Sequence, residues 1–340
     1  MTKTTVGLDI GSHSIKLVEL TREKSAVTLR AAGTVPTPPK SLTSTLAADH
    51  EALAVAIKKL FADTGVANRE VSIALPESQV FTRVIEVPQL SSRELISAIQ
   101  WEAEQYIPLP LEQVNVDFTV LRDAKETGSN KMDVLLVAAP KVLIEKYTRI
   151  LDLADVTPIG VETEIIAASR ALVRSVPTLK TVMIVSLGAQ TTDVAILRSG
   201  VLAFTRSISA GGEAISRAVA QGLNFDISQA EEFKKTYGVE SDKLEGKIVA
   251  AAKPVTDTIV AEMKRAVAFY SEKYKNDQVQ TFILSGGTAR LPGIVVFIAE
   301  AMEMEVQLAN PWIGINKDSR FAALDSEGAV FTVSVGLSLR

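Results

Sequence analysis

Val6-Gly7-Leu8-Asp9-Ile10-Gly11-Ser12-His13-Ser14-Ile15-Lys16-Leu17-Val18-Glu19-Leu20 is met a second time, altered, as Ile184-Val185-Ser186-Leu187-Gly188-Ala189-Gln190-Thr191-Thr192-Asp193-Val194-Ala195-Ile196-Leu197. Laying Gly11 on Gly188 brings apolar strands, glycine turns and hydroxyls into register. The step from Gly11 to Gly188 equals the step from Ser14 to Thr191, 177 residues in each case. Two Gly/Ser/Thr turns between β-branched strands can aim backbone N–H groups and hydroxyls at one anion from opposite sides. This is how a duplicated fold clamps the phosphates of a nucleotide. One position breaks the match, since Asp9 of the first copy corresponds to Ser186 of the second.

A third stretch, Phe282-Ile283-Leu284-Ser285-Gly286-Gly287-Thr288-Ala289-Arg290-Leu291-Pro292-Gly293, follows the same logic. Paired glycines between a strand and a helix let the backbone pass flat against a planar or phosphorylated ligand. Asp9 ends an otherwise apolar strand, where a carboxylate is costly unless paired or serving a cation. It is therefore read as a ligand of Mg through water, with Lys16 beside it as phosphate counter-charge. His13, at the turn tip, reads as structural or exposed, and Glu231 with Lys234 has the spacing of a helical surface pair.

Bulk properties exclude other classes. The 340 residues suffice for two domains, and 47% hydrophobic with 22% charged residues describes a globular chain. A net charge of −4, from 36 basic and 40 acidic residues, leaves no basic stripe for nucleic acid. Without cysteine there is no disulfide or thiolate, and two histidines make no zinc cluster. No leader-like apolar segment opens the chain and no stretch reaches a membrane span, so the expected compartment is the cytoplasm.

Strands and helices alternate in the manner of α/β layers. Val6–Ile10, Ile15–Leu20 and Ala26–Val35 predict a meander, followed by a helix on Leu53, Ile57 and Leu60 and a strand at Val71–Leu75. Residues 79–160 read as an inserted βαββα unit. It holds a strand at Phe81–Val87 and a helix that opens on a Ser91/Glu94 capping box and runs to Tyr106. The helix's inner face is read as Leu95, Ala98/Ile99, Glu102 and Tyr106. An alternating strand on Val114, Val116, Phe118 and Val120 follows, then a turn at Asp123–Asn130, a strand at Met132–Ala138 and a helix at Lys141–Leu153. The second half restarts at Val182–Leu187 with a partner at Asp193–Leu197. A continuous helical run then leads from Gly211-Gly212 to Gly238, and a long helix covers Val255–Lys275.

The three glycine motifs, in this order, resemble the two phosphate elements and the adenosine element of the actin/Hsp70/FtsA ATPase superfamily. More narrowly, the run Ile99-Gln100-Trp101-Glu102-Ala103-Glu104-Gln105-Tyr106-Ile107-Pro108-Leu109-Pro110, with Pro158–Leu172 and Ser285–Gly293, is similar to the PilM family of type IV pilus assembly. The resemblance implies an α/β fold of duplicated actin/Hsp70-like (ribonuclease H-like) domains with an FtsA/PilM-type inserted subdomain 1C. Subdomain 1A would comprise 1–78 with 161–181 and 320–340. Subdomain 1C would be 79–160, subdomain 2A 182–210 with 281–319, and subdomain 2B 211–280.

It implies ATP and Mg as ligands. Asp9, Gly11, Ser12, Ser14 and Lys16 would form the first phosphate hairpin, and Gly188, Thr191 and Thr192 the second. Gly286, Gly287 and Thr288 would line the adenine and ribose, Glu231 and Lys234 would hold the ribose, and Glu164 would orient water. Ser186 stands where the superfamily has Asp, which implies slow or absent hydrolysis; Asp193, seven residues on, is read as no substitute.

The implied role is a cytoplasmic scaffold, peripheral at the inner face of the cell membrane through partners. It would bind the N-terminal tail of a PilN-type bitopic membrane protein in a nucleotide-dependent way, in a groove between the inserted unit and the N-terminal sheet. Pilus assembly ATPases and further copies of the chain are additional candidate partners; nucleic acid and direct membrane insertion are not expected. The alternatives are an actively cycling ATPase and an FtsA-like filament-forming division protein.

Overall fold

The computed structural model describes residues 3–24, 26–176 and 180–340, so 1–2, 25 and 177–179 of the expected subdomain 1A lie outside the described residues. The chain opens with the predicted meander, β1 (Lys3–Ile10), β2 (Ser14–Glu23) and β3 (Ala26–Pro36), then α1 (Ala47–Thr64) and β4 (Glu70–Leu75). Next come β5 (Phe81–Pro88), α2 (Ser92–Tyr106), β6 (Val114–Arg122), a single helical turn α3 (Ala124–Thr127), β7 (Lys131–Pro140) and α4 (Lys141–Leu153). β8 (Thr157–Thr163) and α5 (Glu164–Leu172) close the first half. The second half runs β9 (Thr181–Leu187), β10 (Thr192–Arg198), β11 (Val201–Ile208), α6 (Gly212–Leu223), α7 (Ile227–Tyr237) and α8 (Lys247–Lys273). It ends with β12 (Thr281–Ser285), α9 (Ile294–Met302), β13 (Glu305–Leu308) and α10 (Gly328–Ser338).

The duplication is visible as topology. One sheet has the order β3-β2-β1-β4-β8 and the other β11-β10-β9-β12-β13, with the first three strands antiparallel and the rest parallel in both. Leu8, Ile57, Leu60, Ile73 and Phe61 fill the layer between the first sheet, α1 and α4. Met183, Val185, Ile215, Ile259, Met263 and Phe282 do the same between the second sheet, α6 and α8. A third core joins the halves, where Val18 and Leu20 of one sheet and Ile184 and Ala195 of the other meet α5 and α10. A Cβ at Gly336 would strike the Ala167 carbonyl, so this glycine permits the close approach of α10 to α5. Each fully buried leucine or isoleucine contributes about 2 kcal/mol of transfer free energy.

The inserted unit has its own three-stranded sheet, β5-β7-β6, covered by α2. The Ser91/Glu94 capping box is formed. The buried stripe of α2 is Leu95, Ile99 and Ala103; Glu102 and Tyr106 lie at its rim, and the Arg83 guanidinium stacks on the Tyr106 ring. We propose 81–140 as the limits of this unit in place of 79–160. Leu143, Tyr147, Ile150 and Leu151 of α4 pack in the core of the first sheet, and β8 pairs in parallel with β4.

Two helix readings are corrected. The run from Gly212 to Gly238 is two helices, broken where Asn224 turns left-handed (φ 54°) and Asp226 caps α7. α8 begins at Lys247, before Pro254. The proline leaves one helical bond unmade, while Ile248, Ala252, Thr256 and Ile259 bury a continuous stripe on both sides of it.

Candidate nucleotide-binding site

Asp9 and Lys16 are paired across β1 and β2, and the Lys16 ammonium donates to Asp9 Oδ2 at 3.0 Å. Lys16 thereby compensates the burial of Asp9, which is 4% exposed. Thr37 ties down the turn between the strands: its hydroxyl donates to the Gly11 carbonyl (2.6 Å) and its N–H to that of His13 (3.1 Å). Ser12 and Ser14 are partly exposed on this turn, and His13 is exposed.

The second hairpin closes by a Gly188 N–H bond to the Thr191 carbonyl (2.9 Å). Its carbonyls are tied to later elements. Gly188 O accepts from the Gly212 N–H (2.9 Å) and the Thr288 hydroxyl (2.8 Å), and Ala189 O accepts from the Glu213 N–H (2.8 Å). The second hairpin, the start of α6 and the third glycine motif are thus one hydrogen-bonded piece. Thr192, expected in the second phosphate hairpin, has its hydroxyl engaged within the protein. Its hydroxyl is buried and donates to the Ala210 carbonyl (2.7 Å), because it begins β10 on the inward face.

Asp193 corrects the sequence reading. In the hairpin it lies directly opposite Ser186, and opposite residues in an antiparallel pair share a face. By the duplication, Ser186 takes the place of Asp9 and Asp193 that of Lys16. The second copy therefore keeps a carboxylate at this level of the sheet, carried by the neighbouring strand. Ser285, Ser186, Asp193 and Ser207 form one row across β12, β9, β10 and β11. Thr191 donates to Asp193 Oδ2 (3.0 Å), while Asp193 Oδ1 is buried without a partner.

Glu231 and Lys234 are more than a surface pair. Lys234 is buried and donates to Gly212 O (2.9 Å), the Ser216 hydroxyl (2.8 Å) and Glu231 Oε2 (2.6 Å). Burial opposes ionisation of Glu231, but Lys234, Ser216 and Lys235 outweigh it and hold the carboxyl at about 2. Ser216, on α6 one turn after Gly212, completes this cluster and carried no signal in the sequence beyond its helical spacing. Gly286 has φ 87°, and a Cβ there would collide with the Leu187 carbonyl. Gly287 has open space where its Cβ would stand.

Glu164 begins α5. Loss of solvent, reinforced by Asp193 and Asp9, pushes its carboxyl well above the usual range, against the pull of Lys16. Burial likewise raises Asp193 to about 6, partly offset by Ser207 and Thr191. A fourth acid, Glu77, joins them from the turn after β4. Burial and the nearby Asp193 carry it to about 7. Nothing in the local pattern singles out Glu77, which lies outside all three glycine motifs.

Two like-ordered five-stranded sheets joined through α5 and α10, each offering a glycine hairpin, define an actin-like ATPase fold. The chain belongs to the family described as type IV pilus assembly protein PilM, whose sequence profile matches residues 7–340. It is similar to a PilM-PilN type IV pilus biogenesis complex structure, at 28% identity and TM-score 0.87 over 99% of this chain and 98% of that one. It is also similar to the cell division protein FtsA of Bacillus subtilis (strain 168), 25% identical over 63% of this chain and 56% of that protein. FtsA of Streptococcus pneumoniae serotype 2 is 24% identical over 90% of this chain and 75% of its own length. MreB5 of Spiroplasma citri bound to ADP shares the fold, at 12% identity and TM-score 0.54 over 99% and 95% of the two chains. Among the described residues no helix is long and apolar enough to cross a membrane.

Proposed function

We propose that the chain is an ATP-binding scaffold of type IV pilus assembly, acting at the cytoplasmic face of the membrane. ATP lies between the two halves, and its occupancy sets the affinity for the N-terminal tail of a PilN-type bitopic protein. The observation that carries the nucleotide reading is the single bonded piece of Gly188, Gly212, Thr288, Lys234 and Glu231, repeating in the second half the glycine hairpin of Gly11. Backbone N–H groups of the turns would take the phosphates, Lys234 and Glu231 the ribose, and Gly287 the base.

The acids fit a cation held through water. Asp193 Oδ1 is a buried oxygen without a completed hydrogen bond, and Asp193 and Asp9 both oppose ionisation of Glu164 while Lys16 favours it. Mg, when bound with ATP, supplies charge neutralisation to the phosphates. Asp9 and Asp193 would hold its water shell, and Glu164 would orient a water. Hydrolysis is proposed to be slow, because the carboxylate at this level stands on β10 instead of β9. Phosphoryl transfer rests chiefly on such positioning.

The partner reading is supported by the family and by the 28% identical neighbour, itself a PilM-PilN complex. The inserted unit offers exposed Ile96, Trp101, Leu109, Val116 and Val120, and β6 has an unpaired edge to which an extended peptide could add. Isothermal titration of a synthetic PilN-type tail, with and without MgATP, tests the proposal. Micromolar binding, about −8 kcal/mol, that changes with nucleotide supports it; no capture in either state removes it. Sedimentation with ATP tests the FtsA-like filament alternative.

A further inference from the structure

The turn Glu77–Gln79 joins the first sheet to β5, the strand by which the chain enters the inserted unit. Glu77 is 5% exposed there, and its Oε2 has no partner. Around it are the buried hydroxyls of Thr163, which precedes α5, and Thr82 of β5, both close enough to its carboxyl to hold it down against the effect of burial. Beyond them, on the other half, Asp193 and Ser207 lie directly opposite each other on β10 and β11, with the Ser207 hydroxyl holding the Asp193 carboxyl down. Five buried oxygens from both halves thus converge behind the second hairpin. Buried polar groups have only one another to lean on, so the position of each bears on the rest.

The same root is fastened to the second half at two further points. The Thr205 hydroxyl of β11 donates to the Thr82 carbonyl (3.2 Å). Lys273 of α8 reaches Glu86 of β5 at 2.9 Å. A displacement of β5 therefore bears on β10 and β11, and the acid between them is Glu77.

We propose that Glu77 is a positioning residue of the nucleotide cleft, through which the root of the inserted unit sets the second phosphate hairpin by way of Asp193. This rests on ATP binding in the cleft. Glu77 acts through its side-chain oxygens and their arrangement with Thr163, Thr82 and Asp193, so glutamine, which keeps the shape and one carbonyl oxygen, preserves the role. The second hairpin grips the phosphate end of the ligand. Its disturbance weakens the triphosphate more than ligands held chiefly through Lys234, Glu231 and Gly287.

The test uses the full chain and titrates MgATP and MgADP into wild type, Glu77→Gln and Glu77→Ala, with nucleotide-free melting of each. Wild type is expected to bind both nucleotides. Glu77→Gln should stay within about threefold of it for both. Glu77→Ala should lose about tenfold or more for MgATP and less than threefold for MgADP. Unchanged MgATP binding by Glu77→Ala overturns the role. So does an equal loss for both nucleotides accompanied by a lowered nucleotide-free melting temperature, the mark of a purely structural residue, and so does failure of Glu77→Gln to rescue. If wild type binds neither nucleotide, the cleft reading itself falls, a result distinct from the variant pattern.

Discussion

Asp193 faces Ser186 across the β9–β10 ladder, as Lys16 faces Asp9 across β1–β2, so the duplicated site carries its carboxylates on non-equivalent strands. The exchange has a physical consequence. The first copy neutralises its acid internally, whereas the second leaves Asp193 beside Glu164 and Glu77 with hydroxyls as neighbours. Restoring the missing acid at position 186, which is half-buried, would place a second carboxyl directly opposite the buried Asp193.

Ser186→Asp is therefore expected to destabilise the protein by about 2 kcal/mol through like-charge repulsion and desolvation. Adding Asp193→Ser should recover most of that loss, since the pair then has one acid, as at Asp9. Urea denaturation of the two single variants and the double variant gives the coupling directly. Additive effects would show that the two side chains do not meet.

The adenosine side has a clean probe in Gly287. A leucine there meets open space in the protein, so folding should survive while the base or ribose is displaced. Thermal shift by MgATP, which follows mass action, should vanish in Gly287→Leu with the nucleotide-free melting temperature within a few degrees of wild type. Gly286→Leu should instead lower the nucleotide-free melting temperature as well, because of its positive φ and the Leu187 carbonyl. Normal ATP shifts in Gly287→Leu would displace the assigned pocket.

The buried acids set a pH dependence. Glu77 is raised from 4.5 to about 7 and Asp193 from 3.8 to about 6, so between those values the native state holds protons that the unfolded chain has released. Stability of the nucleotide-free protein should therefore fall as pH rises from about 4 to 7. Glu77 accounts for about 3 kcal/mol at most. Glu231 works oppositely: held at about 2, it contributes stability that is lost only as pH falls below its unfolded value. Urea midpoints at several pH values should decline across this window, and Glu77→Gln should flatten the decline. A flat wild-type profile would mean these acids are not buried as described.

The motifs and the strand pattern were legible because hairpins, glycine turns and the Ser91/Glu94 box are local chemistry. What escaped was mostly allegiance and facing. Amphipathic spacing located α4 at Lys141–Leu153 but could not say that Tyr147 and Ile150 face the first sheet instead of the inserted one. A separation of seven residues put Asp193 out of consideration, although a hairpin folds such neighbours together. Thr192 looked like a phosphate hydroxyl by position, and strand alternation turned it inward. Lys234 passed for half of a surface pair because nothing local announces that α6 lies over it.

That allegiance decides how partner binding must be tested. Excising 79–160 removes Leu143, Tyr147, Ile150 and Leu151 from the first core and the first half of β8 from its sheet, at about 2–5 kcal/mol for each large side chain lost. Such a deletion should fail to yield folded protein by circular dichroism, and its failure to bind a tail would carry no information. Exposed positions on the inserted unit avoid this. Val116→Lys and Val120→Lys on β6 place charges along its unpaired edge, a device that blocks strand addition with little loss of stability. The double variant is expected to melt within a few degrees of wild type and to keep its MgATP shift. Affinity for a PilN-type tail should fall about tenfold or more. Retained tail binding would move the peptide away from the β6 edge, to a groove elsewhere between the inserted unit and the first sheet.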